Sequence, residues 1–347
     1  MRPAERLVCG AAVLAGACWA AQALVRAGRW FAFADKVVLV TGGSRGLGLV
    51  IARQLVQQGA RVAILARTGE DVHAAADELR RSGGNVLGLV GDIRNRDEVA
   101  KAVADVEREW GQVDVLINVA GIIQVGPLDT MRMDDFCEAM EINCWGPLHA
   151  VLAVLPGMRR RGWGRIVNVA SIGGKRAVPH LLPYDTSKFA LVGLSTGLRT
   201  ELAQDGILVT TVCPSLMRTG SPRNATFKGR HRQEYAWFSI GGSMPIVSMS
   251  APRAAAQILR ACQNGDGEVY ITNLLSPVTI AARLFPGLTS EVLSLVNRLL
   301  PQAGGIGQRS ARGYESQSVV SPSVLTALGE QAAEENNEMR PRPAHQP

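Results

Sequence analysis

A chain of 347 residues, 47% hydrophobic and with 37 glycines, has the length for one large α/β domain with extensions and too little for two catalytic domains. Its net charge of +7 admits an anionic membrane surface or a phosphorylated cofactor as partner, while the few aromatics and the lack of a basic helix argue against nucleic acid. Six cysteines without a C-x-x-C read as small core residues in a reducing compartment, and five scattered histidines without H-E-x-x-H leave no metal site to expect.

Leu7 to Val25 carries no charge, and Gln22 is its only strongly polar residue, so the span just reaches the length of a bilayer crossing. A membrane anchor, a cleaved signal peptide and an apolar helix packed on the domain all fit residues 1–30. The anchor is favoured, because the run is long for a signal sequence and Ala21-Gln22-Ala23 is only a loose cleavage site. Arg26, Arg29 and Lys36 on its far side slightly outweigh Arg2 and Arg6, which biases the bulk of the chain toward the cytoplasm.

Lys36-Val-Val-Leu-Val reads as a short strand that runs into Thr41-Gly-Gly-Ser-Arg-Gly-Leu-Gly48, and Leu49 to Val56 has helical periodicity. Strand, glycine turn and helix form the setting of a dinucleotide fingerprint: glycines let the backbone approach a pyrophosphate, and the helix N-terminus offers N–H groups to its charge. Gly42, Ser44, Arg45, Gly46, Leu47 and Gly48 are the expected contacts. A second strand, Ala60 to Ala66, ends at Arg67, where an NAD-selective site would present an acid to the ribose 2′-hydroxyl. With Arg45 and Arg67 available for a 2′-phosphate, NADPH is expected over NADH. After a helix near Asp71 to Arg81, a third strand from Asn85 ends at Asp92, placed to contact adenine, and Val113 to Gly121 gives a fourth strand with another glycine turn.

Arg165 to Ala170 is a β-branched apolar run that delivers the hydroxyl of Ser171 at its carboxyl end. Tyr184 and Lys188, four residues apart, share one face of the following helix. A phenol titrates near pH 10, so a fixed cation beside it is needed to favour the phenolate, and Lys188 supplies one. Gly206 to Cys213 and Gly267 to Thr272 read as the sixth and seventh strands.

These motifs, in this order, resemble the classical short-chain dehydrogenase/reductases over roughly Lys36 to Thr272: Thr41-Gly-x-x-x-Gly46-x-Gly48, Asp92, Asn118-x-Ala120-Gly121, Asn143, Ser171, Tyr184-x-x-x-Lys188 and Pro214. The resemblance implies a Rossmann-type doubly wound α/β fold with a seven-stranded parallel sheet ordered 3-2-1-4-5-6-7, and a homodimer or homotetramer. It also implies that Tyr184 is the general acid/base, Ser171 orients the substrate oxygen, and Lys188 holds the nicotinamide ribose and lowers the tyrosine pKa. Asn143 would fix the water of a proton relay, Pro214 and Thr219 would border the nicotinamide, and Ile93 the adenine. Two departures stand out: Val119 replaces the second residue of the usual Asn-Asn-Ala-Gly, and Pro214-Ser215 replaces Pro-Gly. The expected activity is interconversion of a carbonyl and an alcohol on a small, hydrophobic or lipid-like molecule. A non-catalytic NADPH-binding sensor or scaffold at a membrane is the main alternative, and an extended-family dehydratase or epimerase a weaker one.

Ser215 to Met249 should cover the substrate. Its Arg218, Arg223, Lys228, Arg230, His231 and Arg232, beside Tyr235, Trp237 and Phe238, suit either a lid for an anionic or lipid-like molecule or a solvated basic loop. Residues 273–302 form an amphipathic extension, with Leu288, Val292, Leu295, Val296 and Leu299 as a stripe that would lie on a membrane or on the domain. From 303 to 347 the composition predicts a mostly disordered tail with a short helix near Ser323 to Glu335.

Overall fold

A computed structural model of the chain describes residues 16–17, 20–272 and 284–339. Seven parallel strands make the central sheet: β1 Val37–Thr41, β2 Arg61–Ala66, β3 Asn85–Val90, β4 Val115–Asn118, β5 Gly164–Val169, β6 Ile207–Pro214 and β7 Glu268–Ile271. Their order is β3-β2-β1-β4-β5-β6-β7, the expected one; if every strand of the chain is numbered, it becomes 3-2-1-4-6-7-11, because short strands outside this sheet intervene. Along β1 the side chains alternate between the two faces, Val38 and Val40 entering one hydrophobic core and Val37 and Leu39 the other.

Helices cover both faces. The first core packs beneath α1 (Gly46–Gln57), α2 (Gly69–Arg81) and α8 (Ala251–Asn264); the second lies under α3 (Arg96–Trp110), α5 (Gly146–Arg161) and α6 (Leu182–Leu202). Between them come α4 (Met133–Met140) and α7 (His231–Ser243). Helix α3 begins where the Asn95 side chain accepts the N–H groups of Asp97 and Glu98, and ends at Gly111, which takes the left-handed conformation at φ 82°.

A buried polar chain ties the strands together near their carboxyl ends. Thr41 donates to Asn118 at 3.3 Å, Asn118 to Asn168 at 2.9 Å, and Asn168 to Ser195, whose hydroxyl also takes the Thr211 hydroxyl at 2.7 Å. The chain crosses β1, β4, β5 and β6 directly below the level of Ser171, so it fixes the mutual height of the strand ends that carry the site.

The expected anchor, Leu7 to Val25, lies largely outside the described residues. A helix covers 20–29, and no helix among the described residues is long and apolar enough to cross a membrane. Arg26 pairs with Asp266 at 2.6 Å, and the Arg29 carbonyl accepts from Arg165 at 2.9 Å, so this helix is fastened to the domain edge by its charged end. Within the extension, the described helix α9 (Pro286–Leu299) buries none of its residues, and Leu288, Val292, Leu295, Val296 and Leu299 are all exposed. Its stripe therefore does not pack on the domain.

The expectation of a mostly disordered tail is corrected for the described residues. Ala311–Arg312 pairs antiparallel with Thr226–Phe227, which in turn pairs with Gln124–Val125. Helix α10 (Ala327–Glu335) follows, with Ala332 and Ala333 buried. A β-carbon on Gly220 would sit 2.4 Å from the Ala333 Cα, so the two backbones touch where only glycine fits.

Candidate active site

Each site residue owes its place to a strand end or a helix start. The turn after β1 leads into α1, where Gly48 is packed so tightly that a β-carbon would lie 2.1 Å from the Gly42 carbonyl oxygen; at Gly42 it would lie 2.8 Å from the Ala120 backbone. This is a cradle in which backbone, rather than side chains, faces a ligand. At the end of β2, Arg67 lies among Asp92, Arg94, Arg312 and Arg45; burial lowers its pKa first, Asp92 opposes that, and the arginines add to it. Burial also works against the charge of Asp92, yet bonds from the backbone N–H and guanidinium of Arg94 outweigh it and hold the carboxyl below its ordinary value.

A π-turn, Glu141–Trp145, interrupts the helical path between α4 and α5 and carries Asn143. Asn143 is fully buried: its oxygen accepts the Ile122 N–H at 2.9 Å, and its amide donates to the Ile122 carbonyl at 3.2 Å and to Ser187 at 2.9 Å. Ser187 in turn donates to the Tyr184 carbonyl at 2.7 Å, which couples the π-turn to the helix bearing Tyr184.

Tyr184 is hydrogen-bonded with Ser171; burial pushes its phenol up to about 12, and neighbouring Asp185 adds to the rise against the Ser171 bond. Lys188 is buried, donates to the Val169 carbonyl at 3.0 Å, and is lowered by burial to about 8. At neutral pH both therefore carry their protons: a phenol ready to donate, beside a charged ammonium.

A cavity of about 540 Å³ joins these parts. Gly42, Ser44, Arg45, Gly46, Leu47, Gly48, Arg67, Asp92, Ile93, Ala120, Gly121, Ser171, Tyr184, Lys188, Pro214 and Thr219 line it. Asn118 and Asn143 stand behind its wall and act through their hydrogen bonds. The glycine cradle and the arginines at one end fit a phosphorylated dinucleotide; at the other end, Tyr184 and Ser171 meet an apolar chamber formed by Val178, Leu181, Met217, Trp237 and Phe238.

Three features escaped the sequence reading. Asp185, next to Tyr184, faces the cavity with one oxygen accepting the Val178 N–H at 2.6 Å and the other, buried, without a partner among the described residues; burial pushes its carboxyl up to about 8. Arg312 and Glu338 reach the cavity from the tail. Of the basic residues between Ser215 and Met249, Arg218, Arg223 and Lys228 are engaged by the protein itself. Arg218 donates to the Ser248 carbonyl at 2.6 Å, Arg223 faces Glu330 at 3.7 Å, and buried Lys228 pairs with Asp135 at 2.6 Å. These charges hold the loop in place, and it is Trp237 and Phe238 that face the chamber. Glu234 accepts from Trp237 at 2.7 Å and pairs with buried His180 at 2.8 Å, which fixes the indole there.

The model of the short chain dehydrogenase family matches residues 36–228, more than half of the chain. The chain belongs to that family. It is an NAD(P)-dependent oxidoreductase acting on CH–OH groups, as a short-chain dehydrogenase with ketoreductase and hydroxysteroid dehydrogenase relatives. Among similar proteins, a putative ketoacyl reductase of Streptomyces coelicolor is 36% identical over 246 residues, 69% of this chain and 93% of that one. The 17-beta-hydroxysteroid dehydrogenase 13 of Rattus norvegicus is 34% identical over 269 residues, 77% of this chain and 83% of the relative. A variant of actinorhodin polyketide ketoreductase, solved with NADPH, superimposes with a TM-score of 0.61 at 33% identity, covering 69% of this short-chain dehydrogenase and 95% of the ketoreductase.

Proposed function

We propose that this short-chain dehydrogenase uses NADPH to reduce the carbonyl of a hydrophobic or lipid-like molecule, or runs the reverse oxidation. The carrying observation is the shared cavity: Ser171 and the protonated Tyr184 at an apolar chamber, with Arg45, Arg67 and a glycine cradle at the other end. NADPH-bound actinorhodin ketoreductase among the similar structures supports the same cofactor. Bound there, NADPH supplies the hydride. Ser171 holds the carbonyl oxygen by hydrogen bonding while Tyr184 donates its proton to it, and the Lys188 ammonium stabilises the phenolate left behind. Through its bonds to Ile122 and Ser187, Asn143 keeps the glycine turn and the Tyr184 helix in register.

The reading includes a membrane surface, supported by the exposed stripe of α9 together with exposed Leu284 and Phe285, and a cytoplasmic catalytic domain. A homodimer or homotetramer also belongs to it, supported by the exposed Trp145, Leu152 and Phe189. The test is parallel titration with NADPH and NADH followed by turnover on a panel of long-chain and steroidal ketones. Turnover with NADPH, lost in R45A/R67A protein, is expected; NADPH binding without turnover on any carbonyl would favour the non-catalytic sensor, and tighter NADH binding would overturn the cofactor choice.

A further inference from the structure

Helix α10 ends where the tail crosses the mouth of the glycine cradle. Arg53 holds this crossing by donating to the Glu335 carbonyl at 2.8 Å and the Asn336 side chain at 3.0 Å. The Asn336 carbonyl then takes the Gly46 N–H, the first of α1, at 2.8 Å. Two residues on, the Glu338 carboxylate lies 3.3 Å from the Arg45 guanidinium, is only 4% exposed, and accepts from Asn224, which also binds its carbonyl at 2.9 Å. Its other oxygen packs against Gly46, where a β-carbon would lie 2.7 Å away.

The tail thus presents to Arg45, just before α1, the chemistry that a phosphoryl group would present: an anion that accepts a charge-assisted hydrogen bond beside a helix N-terminus. The surroundings are cationic, with Arg67 and Arg312 nearby, so in the ligand-free protein Glu338 lowers a repulsion among arginines. A 2′-phosphate arriving at Arg45 meets that carboxylate. Two anions on one partly buried guanidinium repel, and one must leave.

Resting on NADPH as the cofactor, we infer that Glu338 is a cofactor-selectivity residue, a tethered carboxylate that competes with the 2′-phosphate for Arg45 and must be displaced when NADPH binds. A dinucleotide lacking that phosphate makes no such demand on Arg45. Glu338 therefore narrows the preference for NADPH over NADH that Arg45 and Arg67 would otherwise confer.

The experiment is a fluorescence titration of the full chain and of its E338Q variant with NADPH and with NADH. Glutamine keeps the shape and the bond from Asn224 while removing the charge. The expected result is NADPH binding at least fivefold tighter in E338Q, a change under twofold for NADH, and loss of the NADPH gain when R45A is added. Hydrogen exchange over residues 327–339 should accelerate on NADPH addition to the parent protein. Equal NADPH affinities in parent and E338Q, or an equal gain for both dinucleotides, would overturn the inference while leaving the cofactor reading intact. Failure of either protein to bind NADPH would instead overturn that reading.

Discussion

The Lys188 ammonium lies 5.8 Å from the centroid of the Tyr184 ring, close enough for its charge to act on the phenol. In the proposed reaction the pair divides the work: one group donates, the other sets the field. Replacing Tyr184 by Phe leaves the ring, its packing and the cradle in place and removes only the donor. Turnover should fall at least a thousandfold while NADPH affinity changes less than about threefold, in line with the usual weight of general acid catalysis and positioning. Preserved turnover would remove Tyr184 from the reaction.

A pH profile separates the two groups. With Tyr184 pushed up to about 12, its proton stays on through the accessible range, whereas Lys188, lowered to about 8, loses its charge within it. The group is needed protonated, so kcat/KM for carbonyl reduction, which reports the free enzyme, should decline as pH rises through about 8. Lys188→Arg should move that limb upward by more than two pH units, since a guanidinium holds its proton. A limb that stays put would assign it elsewhere.

Asp185 provides a test on stability. Its carboxyl, raised to about 8, stays protonated in the folded chain while the unfolded chain ionises near 3.8. Folded protein then binds more protons, so stability is present at acidic pH and is lost as pH climbs from about 4 to about 8; the whole interval is worth on the order of 5 kcal/mol. Asp185→Asn keeps an acceptor for the Val178 N–H and has no charge to lose. Its melting temperature should exceed the parent's by several degrees at pH 8, with a smaller or reversed difference at pH 5. Equal shifts at both pH values would contradict a protonated Asp185.

Glycine substitutions should divide by location. Gly48→Ala forces a β-carbon to 2.1 Å from the Gly42 carbonyl and should cost about 2–3 kcal/mol or more together with dinucleotide binding. Gly193→Ala, on the exposed face of α6 with no atom within 4 Å, should stabilise by up to about 1 kcal/mol. Thermal melts and NADPH titration of the two variants read both signs.

The sheet was legible because buried parallel strands are short β-branched runs, and Val37–Thr41 or Ile207–Pro214 can hardly be read otherwise. Tyr184, Lys188 and the glycine turn were legible because their chemistry depends on spacing within one element. The tail was not: it docks through backbone pairing at Ala311–Arg312 and through Ala333 against Gly220, neither of which leaves a periodic apolar signal. The orientation of Asp185 was equally hidden, since a carboxylate on a helix is ordinarily solvated and only the packing of Gly173 and Val178 around it turns it inward. The basic stretch before Tyr235 misled because its partners, Asp135, Ser248 and Glu330, lie far away in sequence.

Arg45 and Glu338 stand 293 residues apart, and this distance imposes an order on biosynthesis. The central sheet has all its strands once Ile271 has been made, but the last wall of the cleft comes from Arg312 and Glu338. At ~5–20 residues per second, translation leaves an interval of several seconds in which the cradle is built and its own carboxylate has yet to arrive. A nascent chain can therefore take up dinucleotide before it is able to compete with it, and a protein nicked before Glu338 would remain permanently in that early state.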